Sequence, residues 1–170
     1  RFNKSGRIDA YPRTIGTEMS SPTNERKYQH IDIINKDENV DRKKHYFDCI
    51  TLRHRALPEQ NLDTIDTSVT FLGKELCFPL LISSMTGGDH DVVRTINRNL
   101  AIAAHETGVA MAVGSQRVQF INKDATESFK IRQFAPDSLL MANLGAVQLN
   151  YGFDERHCTE AIDTVGADAI

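Results

Sequence analysis

Three short polar segments of this sequence each follow an apolar run and precede a run with helical spacing. They are residues 83–88 (SSMTGG), 114–117 (GSQR) and 143–145 (NLG). In parallel α/β proteins, the loops at the carboxyl ends of the strands hold the ligand. Because these three loops are rich in backbone N–H, hydroxyl and amide groups, they predict one shared site for a phosphorylated cofactor.

Each loop suits a particular part of such a ligand. Backbone amides and the Thr86 hydroxyl can bind the edge of a flat heterocycle, and Gly87 and Gly88 let it approach without a Cβ in the way. A plain βα turn explains that loop equally well. Arg117 suits a diphosphate, because its planar fork binds two oxygens at once; the alternative is an ion pair on the rim. Asn143 can bind a ring edge, although alone it is more often a helix cap.

A basic group precedes these loops in the chain. Arg26 and His30 lie four residues apart and share one face of a predicted helix, with Lys27 beside them. Two cations and a histidine can hold a phosphate. Without further evidence, a solvated basic face is the better interpretation of the same residues.

The apolar pattern from residue 79 onward predicts alternating strands and helices. Asp89 or Asp91 is expected to cap the first helix and Gly108 to close it, while Asp124 and Glu127 have capping-box spacing for the second. The predicted strands are 80–83, 109–113, 138–142 and the start of a fourth at 167–170; the predicted helices are 92–104, 124–134 and 154–165.

Repeated βα units of this length fit a doubly wound sheet or a (β/α)8 barrel. No G-x-G-x-x-G motif follows the first strand. A complete barrel needs ~250 residues, so the chain is predicted to carry about half of one, and we expect chain beyond Ile170 to complete it.

The residues before this region divide into two parts. Residues 1–22 show no periodicity and are predicted to be a flexible leader. Residues 23–78 are predicted to hold a helix at 23–36 and a hairpin at 67–78 with Gly73 and Lys74 in the turn. The first βα units of the truncated barrel then occupy residues 79–170.

Composition excludes several classes of protein. The chain has 170 residues and a net charge of −3, so nothing in the total charge suggests nucleic acid, and the basic run 42–45 is interpreted as a solvated turn or helix end. Three widely spaced cysteines and six histidines without zinc-ligand spacing predict no metal site among these residues. With neither a ~20-residue apolar run nor a secretory signal, the sequence predicts a cytoplasmic protein that does not associate with a membrane.

Five motifs in register carry a resemblance to a known family. Together they closely resemble the type-two isopentenyl-diphosphate isomerases, which are FMN-dependent TIM-barrel enzymes. The resemblance runs from about residue 23 to residue 170. The motifs are Arg26–Lys27 with His30, and residues 70–74, 79–88, 112–117 and 142–145.

The resemblance implies which residues bind the ligands. It implies that FMN contacts Ser84, Met85, Thr86, Ser115 and Asn143, and that the diphosphate substrate contacts Arg26, Lys27, Ser115 and Arg117. The family more often has alanine at the position of Ser84, where the contact is expected to run through the backbone. The Gln-Glu pair that binds substrate and magnesium in the family, with the remaining FMN contacts, would follow Ile170.

The implied reaction interconverts isopentenyl diphosphate and dimethylallyl diphosphate. Reduced FMN would act as the acid–base group near its N5, Mg²⁺ would accompany the diphosphate, and NADPH would serve only to reduce the flavin. No residue is an evident proton donor; His30 is a candidate, but a phosphate contact is the better interpretation of it. A homo-oligomer is expected. The alternatives are another FMN-dependent barrel enzyme, such as a 2-hydroxy-acid oxidase, and an inactive half-barrel fragment.

Overall fold

The computed structural model describes residues 22–40, 46–85 and 87–170, without the side chains of residues 22–28 and 38. Residues 1–21 of the predicted leader, the basic run 42–45 and Thr86 lie outside the described residues. None of the described helices is long and apolar enough to span a bilayer.

The segment before the βα units holds a helix and a hairpin, as the sequence predicts. Helix α1 spans Pro22–Lys36, and strands β1 (Val69–Phe71) and β2 (Lys74–Leu76) pair in antiparallel. The predicted turn is shifted by one residue: Leu72 and Gly73 form it, with φ angles of 49° and 78°, and Lys74 belongs to β2. Two positive φ angles are typical of a type I′ turn, which matches the twist of paired strands. Short 3-10 helices lie at Glu38–Val40, Tyr46–Cys49 and Leu62–Thr64.

The three predicted strands form one parallel sheet. Strands β3 (Leu81–Ile82), β4 (Ala110–Ala112) and β5 (Leu140–Met141) are hydrogen-bonded in sequence order. Beyond β5, Ala169 forms a parallel bridge with Met141, so the predicted fourth strand begins where expected. The fold is therefore α/β, with neighbouring strands in the order of the chain.

The predicted helix of the first crossover is also present. Helix α2 spans Asp91–Thr107 and ends at Gly108 in the left-handed region. Its cap is His90, whose side chain accepts a hydrogen bond from the backbone N–H of Val92, so the prediction of Asp89 or Asp91 is wrong. An imidazole nitrogen in the N-cap position can accept from the N2 amide just as a carboxylate oxygen does.

The second crossover differs from the prediction. The expected single helix over 124–134 is replaced by α3 (Arg117–Ile121) and two 3-10 helices, Lys123–Phe129 and Arg132–Phe134. Asn122 lies between α3 and the first of these 3-10 helices and has an extended backbone. Its side-chain oxygen accepts a hydrogen bond from the backbone N–H of Asp124. This Asn122 cap takes the place of the predicted cap at Asp124, because one amide oxygen satisfies the first free N–H group of the new helix.

The third crossover begins with a 3-10 helix at Ala146–Tyr151 and continues as helix α4 (Glu155–Val165). Asp154 caps α4 and forms a capping box with His157. The hydrogen bond with His157 is the main cause that lowers the pKa of the Asp154 carboxyl.

The hydrophobic core lies between the parallel sheet and the crossover segments. Phe129, Met111, Ile131 and Leu140 are its largest buried side chains there, and two of them, Phe129 and Ile131, belong to the second crossover. A second, smaller cluster joins Leu76 of the hairpin to Ala110 and Leu139 at the amino ends of β4 and β5.

A charged cluster, made of Lys74, Arg132 and Asp168, lies at the same amino-terminal end of the sheet. Asp168 pairs with Lys74 at 2.9 Å and with Arg132 at 2.8 Å, and it accepts from the backbone N–H of Leu140 at 2.9 Å. Burial raises the pKa of Asp168, but the Leu140 hydrogen bond and the two cations outweigh it, so the pKa lies below its usual value.

This lowered pKa predicts a specific acid sensitivity. The carboxylate of Asp168 stabilises the fold fully above the unfolded-state pKa of about 3.9, and this stabilisation is lost as the pH falls through the lower folded-state pKa. Asp168→Asn should therefore be less stable than wild type at neutral pH, with the difference shrinking below about pH 4. Urea unfolding at a series of pH values measures this. Asp163→Asn, at an exposed position of α4, is the control, and an unchanging difference between Asp168→Asn and wild type would contradict the assignment.

Candidate functional site

The first and third loops meet at the carboxyl-terminal edge of the parallel sheet. Ser84 follows β3 and Asn143 follows β5, and the Asn143 side-chain Nδ2 donates to Ser84 Oγ at 3.0 Å. These residues are 59 positions apart in the chain. The contact confirms the prediction that the loops converge at one end of the sheet.

The second loop joins them through Gln116, which follows β4. Its backbone N–H donates to the carbonyl of Asn143 at 2.8 Å, and its side-chain Oε1 accepts from the N–H of Asn143 at 3.0 Å. The alternative interpretation of Asn143 as a helix cap is wrong, because Asp154 caps α4 and Gly145 precedes the 3-10 helix without a side-chain cap.

Two polar groups in the second loop remain available to a ligand. Ser115 and Arg117 are half-buried, and among the described residues neither side chain has a hydrogen-bond partner or an ion pair. The rim ion pair considered for Arg117 is therefore not found in the described part of the chain. A partly buried guanidinium without a carboxylate partner is suited to an incoming anion.

The remaining edge of the site is built by the first loop. The Met85 side chain is 52% exposed, and its backbone N–H has no partner among the described residues. Gly88 has a φ of 147°, a conformation open essentially to glycine alone. Its N–H donates to Ser128 Oγ at 3.2 Å, which fixes the loop to the 3-10 helix behind it.

These groups fit the cofactor that the sequence implies. A flavin ring presents alternating donors and acceptors along a flat edge, and the edge here offers backbone N–H groups, two hydroxyls and one carboxamide. The Asn143 carboxamide nitrogen donates to Ser84, and its oxygen has no partner among the residues that the structure describes. The donor set therefore matches a ring edge followed by a phosphorylated chain.

Three of the predicted site residues are not located by the structure. Thr86 lies outside the described residues, as do the side chains of Arg26 and Lys27 on α1. His30 is exposed on α1. In the described ranges, no group of three or more His, Cys, Asp or Glu side chains is placed to hold a metal ion.

Gln116 is the residue whose importance the sequence did not reveal. In the sequence its amide is one polar group among several at the end of a strand, but the structure buries it completely and uses it to join two loops. A glutamine in a polar loop has the same sequence signature whether it faces solvent or the core. Only its position between two apolar runs could have hinted at burial.

Comparison with known proteins identifies the family of this chain. The family described as FMN-dependent dehydrogenase matches residues 20–136. The isopentenyl-diphosphate delta-isomerase of Paracoccus zeaxanthinifaciens is 52% identical over 145 residues, which cover 85% of this chain and 42% of that protein.

Two further relatives carry the same name. The protein of Hydrogenovibrio crunogenus is 49% identical over 150 residues, covering 88% of this chain and 44% of the relative. The protein of Rickettsia canadensis is 50% identical over 147 residues, covering 86% and 42%. The chain thus spans less than half the length of the curated relatives that it matches. By the family match over most of its described residues, the chain belongs to the FMN-dependent dehydrogenase family.

Proposed function

We propose that the complete protein to which this chain belongs interconverts isopentenyl diphosphate and dimethylallyl diphosphate with the help of FMN. The observation that carries the proposal is the hydrogen-bonded meeting of Ser84, Gln116 and Asn143 at one sheet edge. These hydrogen bonds join loops that lie far apart in the chain, as a shared flavin site requires. Curated relatives named for this isomerase share about half of the matched residues.

The same proposal includes the architecture. The parallel strands β3, β4 and β5 and the bridge at Ala169 follow one another in chain order, as the first four strands of a (β/α)8 barrel do. A doubly wound sheet would instead reverse direction at a switch point. The sequence order therefore supports a barrel whose first four strands lie in this chain.

The residues of the site fall into two groups in the proposal, and Ser115 belongs to both. The FMN ring edge is held by Ser84, Met85, Thr86, Ser115 and Asn143, and reduced FMN supplies the group that exchanges a proton with the alkene. The diphosphate is held by Arg26, Lys27, Ser115 and Arg117, together with Mg²⁺. Binding energy from the diphosphate then orients the distant double bond against the flavin, which is where such remote contacts contribute to rate. NADPH serves as reductant, and the assembly is a homo-oligomer.

The second candidate is a 2-hydroxy-acid oxidase or a related flavin oxidoreductase. The family description, FMN-dependent dehydrogenase, favours this reading. Arg26 and Lys27 are adjacent in the sequence, and the Arg117 guanidinium has no carboxylate partner among the described residues. These cations favour a diphosphate over a small carboxylate because they offer more positive charge than one carboxylate needs.

A single assay on the complete gene product separates these candidates. Purified protein should show flavin absorbance and, once reduced by NADPH, should convert isopentenyl diphosphate to its isomer without further NADPH consumption. Oxidation of a 2-hydroxy acid without isomerisation would favour the second candidate. The 170-residue chain alone is expected neither to retain FMN nor to isomerise, because the later phosphate-binding loops of such barrels would be missing; stoichiometric flavin with activity in that chain would contradict this.

A further inference from the structure

Gln116 is a fully buried polar residue at the carboxyl end of β4, and every polar group of its side chain is used. The side-chain Nε2 donates to the carbonyl of Ala161 at 2.8 Å and to Gln119 Oε1 at 3.1 Å. Its Oε1 accepts from the N–H of Asn143 at 3.0 Å. Such full satisfaction is what allows an amide to be buried without a large penalty.

These bonds fix the Asn143 backbone from both sides. The Gln116 N–H binds the Asn143 carbonyl, while the Gln116 side chain binds the Asn143 N–H. The peptide groups before and after Cα of Asn143 are therefore both held by one residue. Because the backbone sets the direction of the Cα–Cβ bond, the same bonds limit where the Asn143 side chain can point, and its Nδ2 reaches Ser84 Oγ.

A second anchor holds Gln116 itself. Ala161 lies buried on the inner face of α4, so its carbonyl presents a fixed acceptor to Gln116 Nε2. Hydrogen bonds thus run without interruption from α4 through Gln116 and Asn143 to Ser84. All three βα loops are tied to the third crossover helix by this path.

We propose that Gln116 is a positioning residue for the flavin edge: it sets the orientation of the Asn143 carboxamide without touching FMN or the diphosphate. This inference rests on the proposed FMN site. Gln116 is buried behind the loop, whereas its neighbours Ser115 and Arg117 are partly exposed. In this motif, Ser115 and Arg117 would therefore contact the ligands, while Gln116 between them would support the loop.

Gln119 provides a matched comparison for a purely structural role. It is also buried, at 3% exposure, and its Nε2 donates to Thr164 Oγ1 of α4 at 3.2 Å. Its Oε1 also accepts from Gln116 Nε2 at 3.1 Å, but it has no hydrogen bond to Asn143, and without it Gln116 keeps its bonds to the Ala161 carbonyl and to Asn143. Removing its amide should therefore weaken the packing of α3 on α4 without releasing the Asn143 backbone.

The experiment compares Gln116→Met with Gln119→Met in the complete gene product. Amide hydrogen exchange at Asn143, measured without flavin, should be at least about tenfold faster in Gln116→Met, because its acceptor is gone. The Kd for FMN should rise about tenfold in Gln116→Met and stay within about twofold of wild type in Gln119→Met. Equal effects of both substitutions on exchange and affinity would overturn the proposal.

A conservative variant covers the case in which Gln116→Met does not fold. Burial should keep the carboxyl of Gln116→Glu protonated at low pH, so that it can still accept from Asn143 and donate to Ala161. Slow exchange at Asn143 is then expected below neutral pH, and exchange as fast as that of an unprotected amide would contradict the proposal. The hydrogen-exchange measurement needs no flavin. If the wild-type protein fails to bind FMN, the proposed function is wrong, but the exchange rates still test whether Gln116 holds the Asn143 backbone.

Discussion

Replacing Arg132 with alanine is expected to lower the free energy of unfolding by about 3 kcal/mol or more, because several charge-assisted hydrogen bonds disappear together. The Arg132 guanidinium donates to four backbone carbonyls and to the Asp168 carboxylate. The carbonyls are those of Ala135, Pro136, Ser138 and Gly166, at distances between 2.6 and 3.2 Å. The substitution also leaves Asp168 with Lys74 as its one remaining cation partner among the described residues. Urea denaturation of wild type and variant measures the loss.

The control for Arg132 is another arginine of the same region. The Arg98 guanidinium lies 5.4 Å from the centroid of the Phe134 ring, and Arg98→Ala should cost about 0.5–1 kcal/mol. Arg132→Lys should fall between the two, since an ammonium cannot reproduce the planar set of bonds. A loss in Arg132→Ala no larger than that in Arg98→Ala would show that the bonds contribute little.

Replacing Arg117 with alanine is expected to raise the KM for isopentenyl diphosphate about tenfold to hundredfold while leaving the flavin content unchanged. The loss of one charge-assisted contact to the diphosphate, about 1.5–3 kcal/mol, sets this range. Arg26→Ala should behave in the same way if the α1 cations hold the same group. Steady-state kinetics and the ratio of flavin to protein absorbance, both on the complete gene product, measure the two quantities.

Arg156→Ala is the matched control for Arg117. Arg156 is an exposed arginine near the start of α4, and its removal changes the net charge equally without affecting the sheet edge. Its KM should stay within about twofold of wild type. Purification of Arg117→Ala without flavin would instead assign this arginine to the cofactor rather than to the substrate.

The strands and two of the three crossovers were predictable from the sequence because simple patterns determine them. Short apolar runs such as 80–83 and 138–142 are typical of strands in a parallel sheet, although Leu80 and Leu81 of the first run are exposed in the structure. Gly108 marks a helix end through a φ that other residues avoid. The second crossover was not predictable in this way. Ala125 and Phe129 have the i, i+4 spacing of a helix face, yet the non-helical backbone of Lys130 interrupts the predicted helix.

The site was predictable in its position but not in its internal support. That Ser84 and Asn143 lie at one sheet edge follows from the rule for parallel strands, and the structure confirms it. The burial of Gln116 depends on a contact with Ala161, 45 residues later in the chain, which no local pattern encodes. The ligand roles of Arg26, Lys27 and Thr86 stay predictions.

The two ends of the parallel sheet differ in how they are closed. At the amino-terminal end, the β1–β2 hairpin and the cluster of Lys74, Arg132 and Asp168 join three separate parts of the chain. At the carboxyl-terminal end, Met85, Ser115 and Arg117 keep groups that no described residue engages. Substitutions that change substrate preference can therefore accumulate in the open loops without disturbing folding. A substitution in the charged cluster instead destabilises the fold, and with it any activity that depends on the fold.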